Sequence, residues 1–482
     1  MRRTMESRRI LMAAVLCGVL TGAVGGDART PSRDATIGER SQAAAPRTAG
    51  AEAAVAERVD EYMQAQARVN QFSGTILLAR NGAPLVSKGY GWANVEWEIP
   101  NTPRTRFRLG SITKQFTSMA VMQLRQQGRL DVQDPICRHL TPCPDAWKPV
   151  TVHHLLTHTS GIPSYTNQPE YRKTMMIPKT LDDMVAGFRD LPLEFEPGSR
   201  FRYNNSGYFL LGMIIEKVAG QPYERVLRDQ IFDPLGMDDT GYDRPDTILP
   251  RRASGYRRTP SGIGNAAYLD MVQPYAAGAL YSTIEDLLKW DQALYTDRLL
   301  PEGARTAMFT PFKENYGYGW AVRPPSPATF NRRQIDHGGG INGFSTMIIR
   351  LPDDRISVIV LANNENAGAG RVARDLLAIL LGEPYELPVV RTVATVDRSL
   401  YDSYVGEYQL APAFILTITR DGDRLMAQAT GQQKLEIFPE SETKFFLKAV
   451  EAQITFVKDD QGKVTHLILH QGGRDQQAAK IK

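Results

Sequence analysis

Cysteine is nearly missing from this chain: three residues in 482, too few for cross-links to hold a protein of this size together. Neither Cys137 nor Cys143 stands at a recognisable helix start with a paired histidine, which argues against a catalytic thiol. An excess of charge is missing as well. The formal net charge is +4, and residues 1–52 carry eight arginines against five acids, which leaves +1 for everything after them. That balance excludes a nucleic acid or membrane surface held by a basic face. No comfortable membrane span is apparent either. The apolar run from Ile10 to Val24 is too short; it follows Arg2, Arg3, Arg8 and Arg9 and precedes small residues around Gly25 to Ala28, the pattern of an export signal.

Residues 1–26 are therefore read as a signal peptide, and the protein as exported, periplasmic or secreted, with no membrane span once the signal is cleaved. The alternative is an uncleaved tether. Ser7-Arg8-Arg9-Ile10-Leu11 resembles a twin-arginine signal, so that route stays open beside the general one. Cys17 follows Leu16 rather than a small residue, which speaks against a lipoprotein cleavage site. Residues 27–52, rich in Ala, Arg, Ser and Thr, have no hydrophobic period and read as a disordered linker. With a hydrophobic content of 42%, the chain can bury one large core and a second, smaller one.

An opening helix is expected over 53–69, then a hairpin with strands at 74–80 and 84–90 and the turn Asn81-Gly82. From Arg129 to Trp290 the pattern is mainly helical. Strands return at 318–322, 344–351 and 356–362 before a closing helix at 367–381. Strands from both ends would have to meet in one antiparallel sheet with helices against it and the helical centre as a lobe beside it: an α+β fold over 53–382. Residues 383–397, with Pro384 and Pro388, read as a linker. Short alternating strands at 414–419, 424–429, 445–447, 454–458 and 464–470 then make 398–482 a small all-β unit.

The chemistry starts at Ser111-Ile112-Thr113-Lys114. Apolar residues recur at helical spacing through Ile112, Phe116, Met119, Ala120, Met122 and Leu124 up to Gly128, so a helix over 111–127 would put a hydroxyl and an amine on one face. The bland alternative is an N-cap serine with an exposed lysine. A second Ser-x-x-Lys, Ser441 to Lys444, lies in a strand-like stretch with no helix start and reads as coincidence. Tyr203-Asn204-Asn205 follows the turn-rich Pro197-Gly198-Ser199 and precedes a helical run that Gly220 closes, whereas its rival, Tyr165 to Asn167, has no helix behind it. His337-Gly338-Gly339-Gly340 leads into the strand at 344, and its glycines would let a substrate backbone lie close.

In this order, Ser111-x-x-Lys114, Tyr203-x-Asn205 and His337-Gly338-Gly339 resemble the three active-site motifs of the serine β-lactamase and penicillin-binding superfamily, on its class C-like branch. The stretches FRLGSITK (107–114), LLTHTSGI (155–162), STIEDLLKW (282–290) and HGGGINGF (337–344) resemble the same hydrolases. The resemblance implies that Ser111 forms an acyl-enzyme while Lys114 and Tyr203 share the proton transfers. It implies that Asn205 holds the substrate's amide or carbonyl oxygen, that His337 and the Gly339 backbone line the opposite wall, and that the backbone N–H groups of Ser111 and Gly340 form the oxyanion hole. The C-terminal unit, with YVGEY (404–408) and LHQG (469–472), resembles the lipocalin-like barrel appended to some of these hydrolases.

One departure from the pattern matters. Many β-lactamases carry lysine at the first place of the third motif; His337 would be mostly neutral at pH 7, weakening an anion clamp. The expected activity is thus an esterase or peptidase, with a β-lactamase or a slowly deacylating binder as the alternatives, acting on a small ester, peptide or β-lactam without cofactor. No metal site is expected. His154 and His158 have helical i, i+4 spacing but no third ligand nearby, and His466 and His470 would stand about 13 Å apart on a strand. An α/β-hydrolase is excluded because no serine has glycine two places away on both sides. In an oxidising compartment Cys137 and Cys143 could close a small loop after the Ser111 helix.

Overall fold

The computed structural model describes residues 49–482 apart from 260–261, 390, 449–451 and 472–473. The export signal and nearly all of the 27–52 linker lie outside the described residues. Residues 49–389 and 391–482 belong to two compact units.

The larger unit is built on a six-stranded antiparallel sheet. We label its strands β1 (Gly74–Arg80), β2 (Ala83–Tyr90), β3 (Ala321–Arg323), β4 (Gln334–Ile341), β5 (Phe344–Leu351) and β6 (Ile356–Ala362). Their order in space is β3-β4-β5-β6-β1-β2, so the first two strands of the chain join the last four. Asn81 and Gly82 both take positive φ, 53° and 77°, as a two-residue hairpin with the native twist requires.

The sheet is covered on both faces, which is why β1 and β6 are continuous apolar runs rather than alternating ones. Leu77 and Ala79 of β1, with Ile359 and Leu361 of β6, face the core shared with the helical lobe. Their neighbours Ile76, Leu78, Val358 and Val360 face a second core. The main helices are α1 (Ala49–Asn70), α2 (Thr113–Gln126), α3 (Val152–Leu156), α4 (Asn205–Ala219), α5 (Ile284–Ala293) and α6 (Ala369–Leu381). α1 and α6 cover the second face with Val55, Val59, Tyr62, Val372, Leu376 and Leu377. On the first face the enclosed Arg350 of β5 is paired with the enclosed Asp291 of α5. No described helix is long and apolar enough to cross a membrane.

Several expectations need correction. α1 begins at Ala49, inside the stretch read as linker. The helix after Ser111 starts at Thr113, and Gly110–Ile112 form a 3-10 turn ahead of it. Strand β4 was not expected, because three consecutive glycines carry little strand propensity and only the ladder with β5 holds them extended. The strand expected at 318–322 is the shorter β3. Within the mainly helical centre, the short strands 241–242 and 280–282 join 107–108 in a small sheet, and 256–259 pairs with 262–265.

The smaller unit is a closed barrel of eight antiparallel strands, each paired with the next and the last with the first. These are β7 (Gly406–Ala411), β8 (Phe414–Asp421), β9 (Arg424–Ala429), β10 (Leu435–Pro439), β11 (Lys444–Leu447), β12 (Ala452–Lys458), β13 (Val464–Gln471) and β14 (Arg474–Lys480). Its interior is packed with Tyr404, Tyr408, Ile418, Leu425, Phe445, Phe456 and Leu467. Tyr404 stacks on Phe456 at 4.3 Å between ring centres. Ser441 lies in the turn between β10 and β11 and Lys444 is the first residue of β11, its N–H donating to Ser441 Oγ at 3.1 Å.

Cys137 and Cys143 are joined in a disulfide that closes a loop after α2. Cys137→Ser is expected to lower the unfolding free energy by about 2 kcal/mol, the chain-entropy value for so short a loop. The midpoint of denaturant unfolding, compared with wild type under oxidising conditions, measures this.

Candidate active site

Gly110, at φ 55°, turns the chain from the short strand 107–108 into the 3-10 turn that carries Ser111. Lys114 follows in the first turn of α2. Its Nζ lies 3.0 Å from Ser111 Oγ, 2.9 Å from Asn205 Oδ1 and 2.8 Å from the Ala277 carbonyl oxygen. The side chain is wholly enclosed. Burial holds its pKa well below the ordinary 10.5, because a cation would lose its hydration there. A neutral amine has two N–H donors and one lone pair. In that neutral form, with Asn205 Oδ1 and the Ala277 carbonyl taking the donors, the lone pair is left for the Ser111 hydroxyl proton.

Asn205 is set in turn by the lobe. Asn204 caps α4, its side chain accepting the Gly207 N–H at 2.7 Å. The next residue, Asn205, donates its backbone N–H to Ser164 Oγ at 3.2 Å and Nδ2 to Thr166 Oγ1 at 3.1 Å, which turns Oδ1 toward Lys114. The rival motif Tyr165-x-Asn167 is thus part of this support: it forms a 3-10 turn whose Thr166 holds Asn205.

Tyr203 lies just before α4, with the Lys114 Nζ 4.9 Å from its ring centre. Burial pushes its pKa up, and an interaction with the Ser111 hydroxyl, which favours the phenolate, opposes the rise. The residue keeps 38% of its surface open to solvent.

The opposite wall is the edge of β4. Strand β3 pairs with 334–336, leaving 337–341 without a strand partner on that side among the described residues. Alternate residues of an antiparallel ladder turn their N–H and C=O away from the partner strand. Counting back from the Ile341/Phe344 pair at the two-residue turn, Gly338 and Gly340 are the ones directed to the open edge. The 3-10 turn packs against this edge very closely. A Cβ on Gly110 would stand 2.9 Å from the Gly340 nitrogen, and one on Gly339 would stand 1.9 Å from the Leu109 carbonyl oxygen. The Ser111 N–H belongs to a first turn with no intrahelical acceptor, so it and the Gly340 N–H are available as a pair of donors.

His337 is 6% exposed and uses both ring nitrogens within the protein. Nδ1 lies 2.7 Å from the Gly338 carbonyl oxygen, and Nε2 lies 2.8 Å from the Tyr316 hydroxyl. Burial, with the Lys114 amine nearby, holds its pKa down at about 4.

Two residues of this cluster were not legible as such. Tyr316 belongs to no motif. His158 was weighed only as a metal ligand with His154, but it lies past the end of α3 at φ 58°, and its Nδ1 accepts the Asn204 N–H at 3.1 Å. His154 instead caps α3. Among the described residues no cluster of His, Cys, Asp and Glu could hold a metal ion.

Two outcomes follow from this geometry. Burial lowers the Lys114 pKa on folding, so below the ordinary lysine value of 10.5 the unfolded chain binds more protons than the folded one, and stability rises as the pH approaches that value. Wild type should therefore gain stability relative to Lys114→Met as the pH rises toward 10.5 in denaturant unfolding. Gly339→Ala forces a methyl into the Leu109 backbone and should destabilise by about 2 kcal/mol or more, whereas Gly340→Ala, with open space at that point, should melt near wild type.

A family model described as Beta-lactamase matches residues 55–383, and one described as a domain of unknown function, DUF3471, matches residues 390–480. A penicillin-binding protein of Bacillus subtilis is 32% identical over 445 residues, 86% of this chain and 96% of that protein. The teichoic acid D-alanine hydrolase of Staphylococcus aureus is 27% identical over 313 residues, 64% of this chain and 73% of that protein. Among solved structures, the octameric penicillin-binding protein homologue from Pyrococcus abyssi matches with a TM-score of 0.62 at 27% identity, covering 88% of this chain and 99% of that one. The chain thus belongs to the β-lactamase family and is a serine hydrolase of that superfamily, carrying a small C-terminal β-barrel.

Proposed function

We propose that the protein is an exported esterase or D-amino-acid peptidase that works through an acyl-enzyme on Ser111. The observation that carries this reading is the enclosed Lys114 amine, 3.0 Å from Ser111 Oγ, with its two donors taken by Asn205 and Ala277. Ser111 Oγ attacks the substrate carbonyl as its proton passes to the Lys114 lone pair. The negative oxygen that develops is met by the Ser111 and Gly340 N–H groups. Tyr203, between the amine and the open side of the cleft, carries the proton on to the leaving alcohol or amine as the carbonyl carbon releases it. Water then enters by the same route in reverse and frees the acid. Asn205 orients Lys114 and, through the same amide, the substrate. The Gly339 backbone holds the close fit between turn and strand.

The neutral His337 favours an ester or amide over a β-lactam, whose carboxylate would call for a fixed cation. The name of one relative, teichoic acid D-alanine hydrolase, supports a D-amino-acyl ester as the substrate type. We read residues 1–26 as a cleaved export signal, 53–382 as the catalytic domain and 398–482 as a lipocalin-like accessory barrel. The mass of the mature protein tests the first of these.

Purified mature protein should turn over short-chain nitrophenyl esters or D-amino-acyl peptides faster than a chromogenic cephalosporin. Ser111→Ala should lose about 10³-fold or more in kcat/KM, and Tyr203→Phe about 10²-fold or more, with circular dichroism unchanged. Fluorophosphonate should label wild type and not Ser111→Ala. A cephalosporin turned over fastest would make the protein a β-lactamase, and stoichiometric label with no product release would make it a slow binder.

A further inference from the structure

The imidazole of His337 has no nitrogen left for a substrate. A carbonyl oxygen can only accept, so the 2.7 Å contact with Gly338 places the ring proton on Nδ1. Nε2 then carries the lone pair, and the Tyr316 hydroxyl donates to it at 2.8 Å. Tyr316 is itself enclosed, at the end of a tight turn in which its N–H donates to the Lys313 carbonyl at 2.9 Å and its own carbonyl accepts the Phe312 N–H at 3.0 Å. Its ring is wedged among Phe201, His158 and Tyr203.

We propose that Tyr316 is a positioning residue that sets the substrate class: by occupying the last nitrogen of His337 it keeps the β4 edge uncharged, so the leaving group accepted there is neutral and carries no carboxylate. This rests on the hydrolase reading above.

Every group facing His337 fits that role. Lys114, on α2, has its charged form disfavoured by burial. His158, from the loop after α3, accepts at Nδ1 and so holds its proton on Nε2, which finds no acceptor among the surrounding rings. A cation at His337 would be met there by the His158 Nε2–H and not by a counter-charge. Tyr203, before α4, approaches with its ring at 6.2 Å and brings no charge at neutral pH. On β4 itself the carboxylate of Asp336 is already claimed by Arg323 of β3 and by Gln334 Nε2. Removing the Tyr316 hydroxyl leaves an unpaired lone pair on Nε2, which a proton would fill as the pH falls. The edge would then carry a cation.

The test uses the full mature enzyme and a matched pair of aryl esters, 3-acetoxybenzoate and its methyl ester, which differ by one carboxylate on the leaving group. In wild type the ratio of kcat/KM should favour the methyl ester and stay level from about pH 7.5 to pH 5.5. In Tyr316→Phe the preference should fall about fivefold or more toward pH 5.5 as His337 gains charge. Long-range nitrogen–proton NMR of the wild-type imidazoles gives an independent reading: His337 should be the Nδ1–H tautomer and remain neutral to about pH 5. An Nε2–H tautomer, titration near the ordinary histidine value, or a Tyr316→Phe ratio that tracks wild type would overturn the proposal. If neither ester is hydrolysed by wild type, the hydrolase reading fails, and the NMR still decides whether Tyr316 holds His337 neutral.

Discussion

The site depends on one close approach of two backbones, the 3-10 turn at Gly110–Ile112 against the free edge of β4. No side chain fits between Gly339 and the Leu109 carbonyl or between Gly110 and the Gly340 nitrogen. Only this contact brings the Ser111 N–H and the Gly340 N–H to one place, although they are more than two hundred residues apart in the chain. Thr346 of β5 fastens it by donating Oγ1 to the Leu109 carbonyl at 2.7 Å. Because β3 ends at the level of Asp336, the edge beyond it is left open for another extended chain to pair with.

Around this seam burial disfavours the charged forms of the ionisable groups. Lys114, His158 and His337 all have their pKa values held below the ordinary range, chiefly by burial. Each is held by neutral partners: Asn205 and Ala277, the Asn204 N–H, and Tyr316 with Gly338. An enclosed carboxylate beside Lys114 would have restored its proton and removed the base. A wall of rings and amides therefore favours proton transfer more than an ion pair would, and this makes the choice of histidine at 337 consistent with the rest of the pocket.

Much of the fold was legible because the sheet and helices follow simple periods. The β1–β2 hairpin could be located from Asn81-Gly82 between apolar runs, and α6 from its apolar stripe and the Gly382 stop at φ 78°. Strand β4 was hidden because glycines have no side chains to alternate. In the barrel, β7 and β14 were hidden because they are mixed in polarity and are specified by pairing with one another at closure. In the site, Ser111, Lys114, Tyr203, Asn205 and the third-motif glycines could be read as local patterns. Tyr316 could not, since its role comes from a contact with His337 across the site and not from its neighbours in sequence.

The sequence by itself determined which groups carry the chemistry and the helical turn that sets Ser111 beside Lys114, because three residues along a helix start is a local spacing. It also determined that the third motif carries no fixed cation. Tertiary structure alone decided that Lys114 is enclosed with its charged form disfavoured, that the β4 edge meets the serine turn, and that His337 holds its proton on Nδ1 under Tyr316. Protonation and tautomer depend on burial and on partners brought from elsewhere in the chain, and no local spacing encodes them.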